Sequence, residues 1–187
     1  MEALTIRRGE PSDAETLYAI HRESATSAYV HIFPPDRYRF PDAEMRAHWI
    51  ASLGDDETDV VIAERGGRPV GFAGVTAGWL KNLFVVPDEW GRGAGTALHD
   101  EAVRLLRGKN AGARLWVLEE NERARRFYER RGWAFDGERR PSDYPPYPPA
   151  LRYALDLDVP TPVVDGSALV GRERAPGPIP NPHPPRG

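Results

Sequence analysis

Gly91, Gly93 and Gly95 stand at every second position around Arg92, directly after a stretch from Asn82 to Val86 that is stopped by Pro87. Glycines lack Cβ atoms, so their backbone can approach a ligand closely and adopt positive φ. A helix predicted from about Ala94 to Arg107 would aim its first free N–H groups at the same place, and such a helix start binds anions. Arg92 adds a positive charge inside the loop. The chemistry implied is the holding of a phosphate or pyrophosphate, although a tight turn with nothing bound gives the same pattern. Two familiar phosphate loops are disfavoured by spacing. No Gly-x-x-x-x-Gly-Lys-Ser/Thr run occurs, and Thr96 occupies the sixth position of a Gly-x-Gly-x-x-Gly fingerprint that lacks its following acid.

A second stretch carries chemistry from Asn121 to Trp133, after a predicted strand Arg114 to Leu118. Asn121 suits a helix N-cap and Gly132 a helix C-terminus. Asn121, Ala124 and Tyr128 fall at i, i+3 and i+7 and share one face: an amide, a small residue, then a phenol. A slim ligand could pass over Ala124 and end at Tyr128, with Phe127 turned to the core.

Together these stretches resemble the GNAT N-acetyltransferase superfamily. Its acetyl-CoA loop, Gln/Arg-x-x-Gly-x-Gly/Ala, is matched by Trp90-Gly91-Arg92-Gly93-Ala94-Gly95. Its later helix, Asn-x-x-Ala-x-x-Phe-Tyr-x-x-x-Gly-Phe, is matched by Asn121, Ala124, Phe127, Tyr128, Gly132 and Trp133. The resemblance spans roughly Ala3 to Asp158. It implies an α+β, three-layer fold with a mixed, mostly antiparallel sheet of about seven strands and helices on both faces. It also implies acetyl-CoA as cosubstrate and a small-molecule amine as acceptor. By resemblance, backbone N–H groups of Leu83, Phe84 and Val85, splayed by a bulge, meet the thioester; Gly91, Arg92, Gly93, Ala94, Gly95, Thr96 and Asn121 hold the cofactor. Tyr128 is the acid that protonates the departing thiolate, since a free phenol of pKa about 10 is protonated at neutral pH.

The base is where the sequence departs from the family. Trp79 and Trp116 stand at the two strand positions that often carry glutamate, and Trp90 replaces the Gln/Arg of the loop. Glu119, Glu120 and His31 are the remaining candidates to receive the amine proton. Trp79, Trp116, Tyr144 and Tyr147 could form an aromatic pocket for an apolar or cationic acceptor. Arg123, Arg125 and Arg126 could meet a 3′-phosphate. Two other functions stay open: a non-catalytic acyl-CoA-binding regulatory module, and a protein N-terminal acetyltransferase.

The elements that must position these groups read in order. Leu4 to Arg8 alternates as a half-buried strand. Ser12 or Asp13 caps a helix with an apolar stripe at Ala14, Leu17, Tyr18, Ile20 and Ala25. An aromatic, proline-rich loop follows, and by resemblance its Tyr29, His31, Phe33 and Tyr38 wall the acceptor pocket. Asp42 caps a helix Ala43 to Leu53 with Met45, Trp49 and Ile50 inward. Strands follow at Val60 to Ala63, Pro69 to Thr76 and Trp79 to Val86, with Gly71, Gly74 and Gly78 leaving room for a bulge. Beyond the Tyr128 helix come strands Trp133 to Glu138 and Leu151 to Leu157. Residues 1–158 form the predicted acetyltransferase domain. Residues 159–187, with eight prolines, read as an extended or disordered tail.

Composition narrows the rest. The chain has 187 residues, a net charge of −3 and no cysteine. That argues against broad nucleic-acid or membrane affinity, and it excludes disulfides, zinc–thiolate sites and a cysteine nucleophile. Met1 to Pro11 lacks the apolar core of a signal peptide, so a cytoplasmic location is expected. The histidines are scattered, so no metal site is expected, and no Gly-x-Ser-x-Gly elbow of a serine hydrolase occurs. The oligomeric state, a homodimer included, is left open.

Overall fold

The computed structural model describes residues 2–108 and 110–158; the proline-rich segment expected at 159–187 lies outside them. Seven strands form one sheet in the order β1-β2-β3-β4-β5-β7-β6. They are β1 (Leu4–Arg8), β2 (Asp59–Arg65), β3 (Arg68–Thr76), β4 (Trp79–Val85), β5 (Gly112–Leu118), β6 (Ala134–Pro141) and β7 (Pro149–Asp156). The helices are α1 (Ala14–Ala28), α2 (Asp42–Leu53), α3 (Ala94–Arg107) and α4 (Glu122–Glu129). No described helix is long and apolar enough to cross a membrane.

Neighbouring strand residues point to opposite faces, and this sorts the layers. Phe72 and Phe84 meet Trp49 of α2 and His21 of α1 on one face. On the other, a Cβ at Gly71 would press on Leu98 of α3 at 3.0 Å and on the Phe84 carbonyl at 2.6 Å. A side chain at position 71 would therefore force β3 and β4 apart.

Every strand pair is antiparallel except β4 and β5. Their ladder holds a single register pair, Trp79 with Arg114, so the two parallel strands diverge toward their C-terminal ends. A gap between the carboxyl ends of parallel strands, each followed by a helix, is a recurrent ligand site. The expected bulge is present on β4: Gly74 faces Asn82 and Val75 faces Leu80, leaving Lys81 extra. It therefore lies nearer the start of β4 than the Leu83–Val85 end where it was expected. The Lys81 ammonium is half-buried, and desolvation with the nearby Arg140 lowers its pKa.

Two helix details differ from the sequence reading. Ile50 is 65% exposed while Met45 and Trp49 are buried. The sheet receives only the i, i+4 stripe of α2, and the next residue round the helix turns outward. Asp42 does not cap α2; Pro41 holds that position. The Asp42 carboxylate instead accepts from the Tyr18 hydroxyl and from Arg22, joining α1 to α2.

His21 is fully buried, and its Nδ1 accepts from the Trp49 indole at 3.2 Å. Indole nitrogen only donates, so the imidazole proton sits on Nε2. Burial, helped by His48, pulls the His21 pKa down to about 3. The unfolded side chain titrates near pH 6.5, so below that pH the unfolded chain binds a proton that the folded one refuses. Stability should fall with pH from about 6.5 toward 3, by up to about 1.4 kcal/mol per unit. His99, lowered by its own burial, acts in the same direction. Urea midpoints at pH 7.5 and 5.5 should show the loss, with a shallower slope for His21→Gln; equal midpoints would refute it.

Candidate active site

Helices α3 and α4 both start at the divergence of β4 and β5. Gly91 and Gly93 adopt φ of +75° and +91°, a region that favours glycine, and Gly93 is the N-cap of α3. Nothing lies within 4 Å of a Cβ built on Gly93, so backbone conformation rather than crowding calls for glycine there. The backbone N–H groups of Gly93, Ala94, Gly95 and Thr96 make no hydrogen bond among the described residues; the first to return is Ala97, to the Gly93 carbonyl at 3.0 Å. The Thr96 hydroxyl is taken, accepting from Arg131 at 2.6 Å.

The loop is braced from below. Glu89 is 2% exposed; one of its oxygens accepts from Arg65 at 2.8 Å and the other from Arg92 at 3.0 Å. Arg65, on β2, also donates to the Arg92 carbonyl at 2.8 Å. The Arg92 charge expected inside the loop is thus shared with a carboxylate. The Trp90 indole donates to the Val85 carbonyl at 2.6 Å, tying the loop to the end of β4. The Arg123 guanidinium lies 3.9 Å from the Trp90 ring centroid. A cation from α4 therefore stands at the loop position where the motif has Gln or Arg. Leu83, Phe84 and Val85 are fully buried. Arg125 is committed to the Tyr153 hydroxyl and the Glu119 carbonyl, and Arg126 to Glu122.

Helix α4 begins as its sequence predicts and ends at Glu129, with Arg130 as its C-cap and a turn leading to Gly132. The Asn121 side chain accepts from the Ala124 N–H at 3.2 Å. Gly132, at φ +86°, is followed by Trp133, whose N–H returns to the Tyr128 carbonyl at 3.2 Å. These bonds satisfy groups that a helix end leaves open. Two links fix the helix sideways: the Tyr153 hydroxyl donates to Glu129 at 2.6 Å, and the Trp133 indole donates to His99 of α3 at 2.9 Å.

Tyr128 is wholly buried, and its hydroxyl has no hydrogen-bond partner among the described residues. Burial raises its pKa further above the ordinary phenol value, against a small opposite pull from Arg131. Unpaired polar atoms in a protein interior are uncommon and call for a reason. Tyr29, at the end of α1, reaches the same place: its phenol shares a hydrogen bond with the Asn121 side chain and feels the Tyr128 phenol electrostatically.

Tyr29 also lines a groove of about 690 Å³. Phe33 and Tyr38 line it with Tyr29, and Tyr144 joins from the turn between β6 and β7. His31 is exposed and is not among the lining residues. Trp79 and Trp116 stack on each other with centroids 6.4 Å apart, and Arg140 covers Trp116 at 4.6 Å. Tyr147 is 57% exposed. Of the four residues expected to form one aromatic box, only Tyr144 lines the groove. Glu119 pairs with Arg139 at 2.8 Å, and Glu120 is exposed.

The sequence model of the acetyltransferase (GNAT) family matches residues 16–133, well over half of the chain. The chain belongs to the GNAT family. Peptidyl-lysine N-acetyltransferase YjaB of Salmonella typhimurium is 30% identical over 156 residues, 78% of this chain and 94% of that protein. The ribosomal-protein-S18-alanine N-acetyltransferase of Escherichia coli superposes with a TM-score of 0.66 at 22% identity, covering 87% of this chain and 99% of that one. PaiA N-acetyltransferase of Thermoplasma acidophilum, in complex with coenzyme A, superposes with a TM-score of 0.64 at 20% identity, covering 82% and 99%. As a GNAT member the protein is an acyl-CoA-dependent N-acyltransferase. The parted β4 and β5, the open N–H groups at the start of α3 and the orphaned Tyr128 hydroxyl suit such a cosubstrate. What sequence reasoning missed in this GNAT site, the Glu89 brace and the Tyr29–Asn121 bond, carries no local signal, because each joins residues far apart in the chain.

Proposed function

We propose that the protein transfers the acetyl group of acetyl-CoA to a primary amine by direct attack, with Tyr128 as the acid. Bound acetyl-CoA would supply an acetyl thioester whose carbonyl carbon the amine attacks, with the thiolate leaving. The reading rests on one observation: the Tyr128 hydroxyl is buried, protonated and without a partner among the described residues, on the helix that follows the parted strand β5. A phenol so placed holds a proton ready for a leaving thiolate. Burial that raises the phenol also raises a thiol in the same cavity, so donation stays feasible. The open N–H groups from Gly93 to Thr96 would take the pyrophosphate, and backbone N–H groups of β4 from Leu83 to Val85 would face the thioester oxygen. Asn121 is the α4 cap that holds Tyr29 beside the acid.

Thiol release from acetyl-CoA across a panel of amines tests this, and the protein adds no background because it has no cysteine. Release that depends on one amine class is the expected result. Acetyl-CoA binding without release for any amine, peptide lysines and N-termini included, would overturn it.

A further inference from the structure

The groove lined by Tyr29, taken as the acceptor site under the transferase reading above on which this inference rests, has a charge pattern that narrows its ligand. Its floor is aromatic and apolar, with Tyr29 and Phe33 rings 6.3 Å apart and Phe33 and Tyr38 rings 6.2 Å apart, both edge to face. A volume of about 690 Å³ suits a small molecule rather than a long chain. Asp42 is the single carboxylate among the described lining residues, and it is already engaged by Arg22 at 2.9 Å and by the Tyr18 hydroxyl. Arg37 and Arg39 also line the groove, and their guanidinium groups make no hydrogen bond or ion pair with the described residues. Outside the lining, Asp143 pairs with Arg140 at 3.3 Å, and the Glu44 carboxylate acts on Tyr144 from α2. The lining thus offers two uncommitted guanidinium groups and no uncommitted carboxylate.

We propose that the acceptor is a primary amine carrying an aromatic or similarly flat apolar body and a carboxylate, with the carboxylate held by Arg37 and Arg39. Guanidinium groups match carboxylates in charge and in planar, two-pronged geometry. The body lies on Phe33, Tyr38 and Tyr144. The amine faces the Tyr29 end, because the Tyr29 phenol links the groove wall to Asn121 and to Tyr128. A polyamine finds no free acid on these walls, and its charge is opposed by both arginines. The reaction balances as an ordinary acetyl transfer: the C–N bond forms, the C–S bond breaks, and the amine proton leaves as the thiolate gains one.

Calorimetric titration of the protein, with and without CoA, tests this directly. The ligands are phenylalanine and tryptophan, their decarboxylated counterparts phenethylamine and tryptamine, spermidine, and a lysine-bearing peptide. The carboxylate-bearing amines should bind at least about tenfold more tightly than the decarboxylated pair. The double variant Arg37→Gln, Arg39→Gln should erase that preference and leave CoA affinity unchanged. The inference is overturned if the decarboxylated amines, spermidine or the peptide bind as well or better, if no member of the panel binds, or if the double variant keeps the preference. Thiol release with the same ligands separates the two readings. Brisk turnover of phenethylamine or spermidine would sink the acceptor class and leave the transferase standing, whereas carboxylate-selective binding with no release for any amine would do the reverse.

Discussion

Tyr128→Phe should lower kcat by about 10²- to 10⁴-fold, the range a positioned proton donor contributes. The substitution removes one oxygen from a side chain that packs at 0% exposure against Trp133, with ring centroids 6.0 Å apart. Because that oxygen has no partner among the described residues, its loss breaks no hydrogen bond, and the fold should hold or gain slightly. The KM for acetyl-CoA should move little, since an interaction made only as the thiolate departs changes kcat rather than binding. The pH profile gives an independent check. Burial keeps this phenol protonated beyond the ordinary range, so wild-type activity should show no alkaline loss attributable to it up to pH of about 10. Steady-state kinetics of both proteins with the best acceptor would decide the matter; an unchanged kcat would remove Tyr128 from the chemistry.

The largest stability effect should come from Glu89→Ala. Glu89 sits at 2% exposure between Arg65 and Arg92, and the Arg65 side chain is itself only 10% exposed. Without the carboxylate, Arg65 keeps the carbonyls of Glu2 and Arg92 but loses its counter-charge. Breaking a buried ion pair from one side costs about 3–5 kcal/mol. For a chain of this size the midpoint of thermal unfolding should drop by roughly 6–20 °C. The Gly91–Gly95 loop, proposed above to hold acetyl-CoA, should loosen as well, because Arg65 is the strut from β2 to the Arg92 carbonyl, so the KM for acetyl-CoA should rise with the loss of stability. Replacing both partners together, Arg65→Met with Glu89→Leu, should recover much of the stability without restoring the KM. Differential scanning calorimetry and acetyl-CoA titration would measure the two effects, and a loss under about 1 kcal/mol would contradict the account of the brace.

These two residues also mark the limit of what a sequence can say. Tyr128 is legible because helix spacing fixes its relation to Asn121 and Ala124 whatever the rest of the chain does. Glu89 reads as one more acid in a turn, and only its pairing with Arg65, on a strand that joins the same sheet, shows what it does.

The sequence by itself determined the elements whose signals are local. Helix α3 runs from Ala94 to Arg107 and strand β1 from Leu4 to Arg8, as the periodicity and the glycines predict. Asn121 caps α4, and Gly132 supplies the left-handed turn that follows it, because capping depends on a few consecutive residues. Two motifs in register were enough to imply the family and the mixed sheet. Tertiary structure alone decided which charges are spent and which remain free. Trp79 and Trp116 look like an open aromatic box in the sequence, yet they stack on each other beneath Arg140, an arginine from a distant strand. Asp42 looks like a helix cap, yet Tyr18 and Arg22 take it, leaving Arg37 and Arg39 to set the charge of the groove. The physical reason is range. Backbone conformation answers to neighbours within a few residues, whereas burial and ion pairing depend on which distant segments the packed sheet brings together.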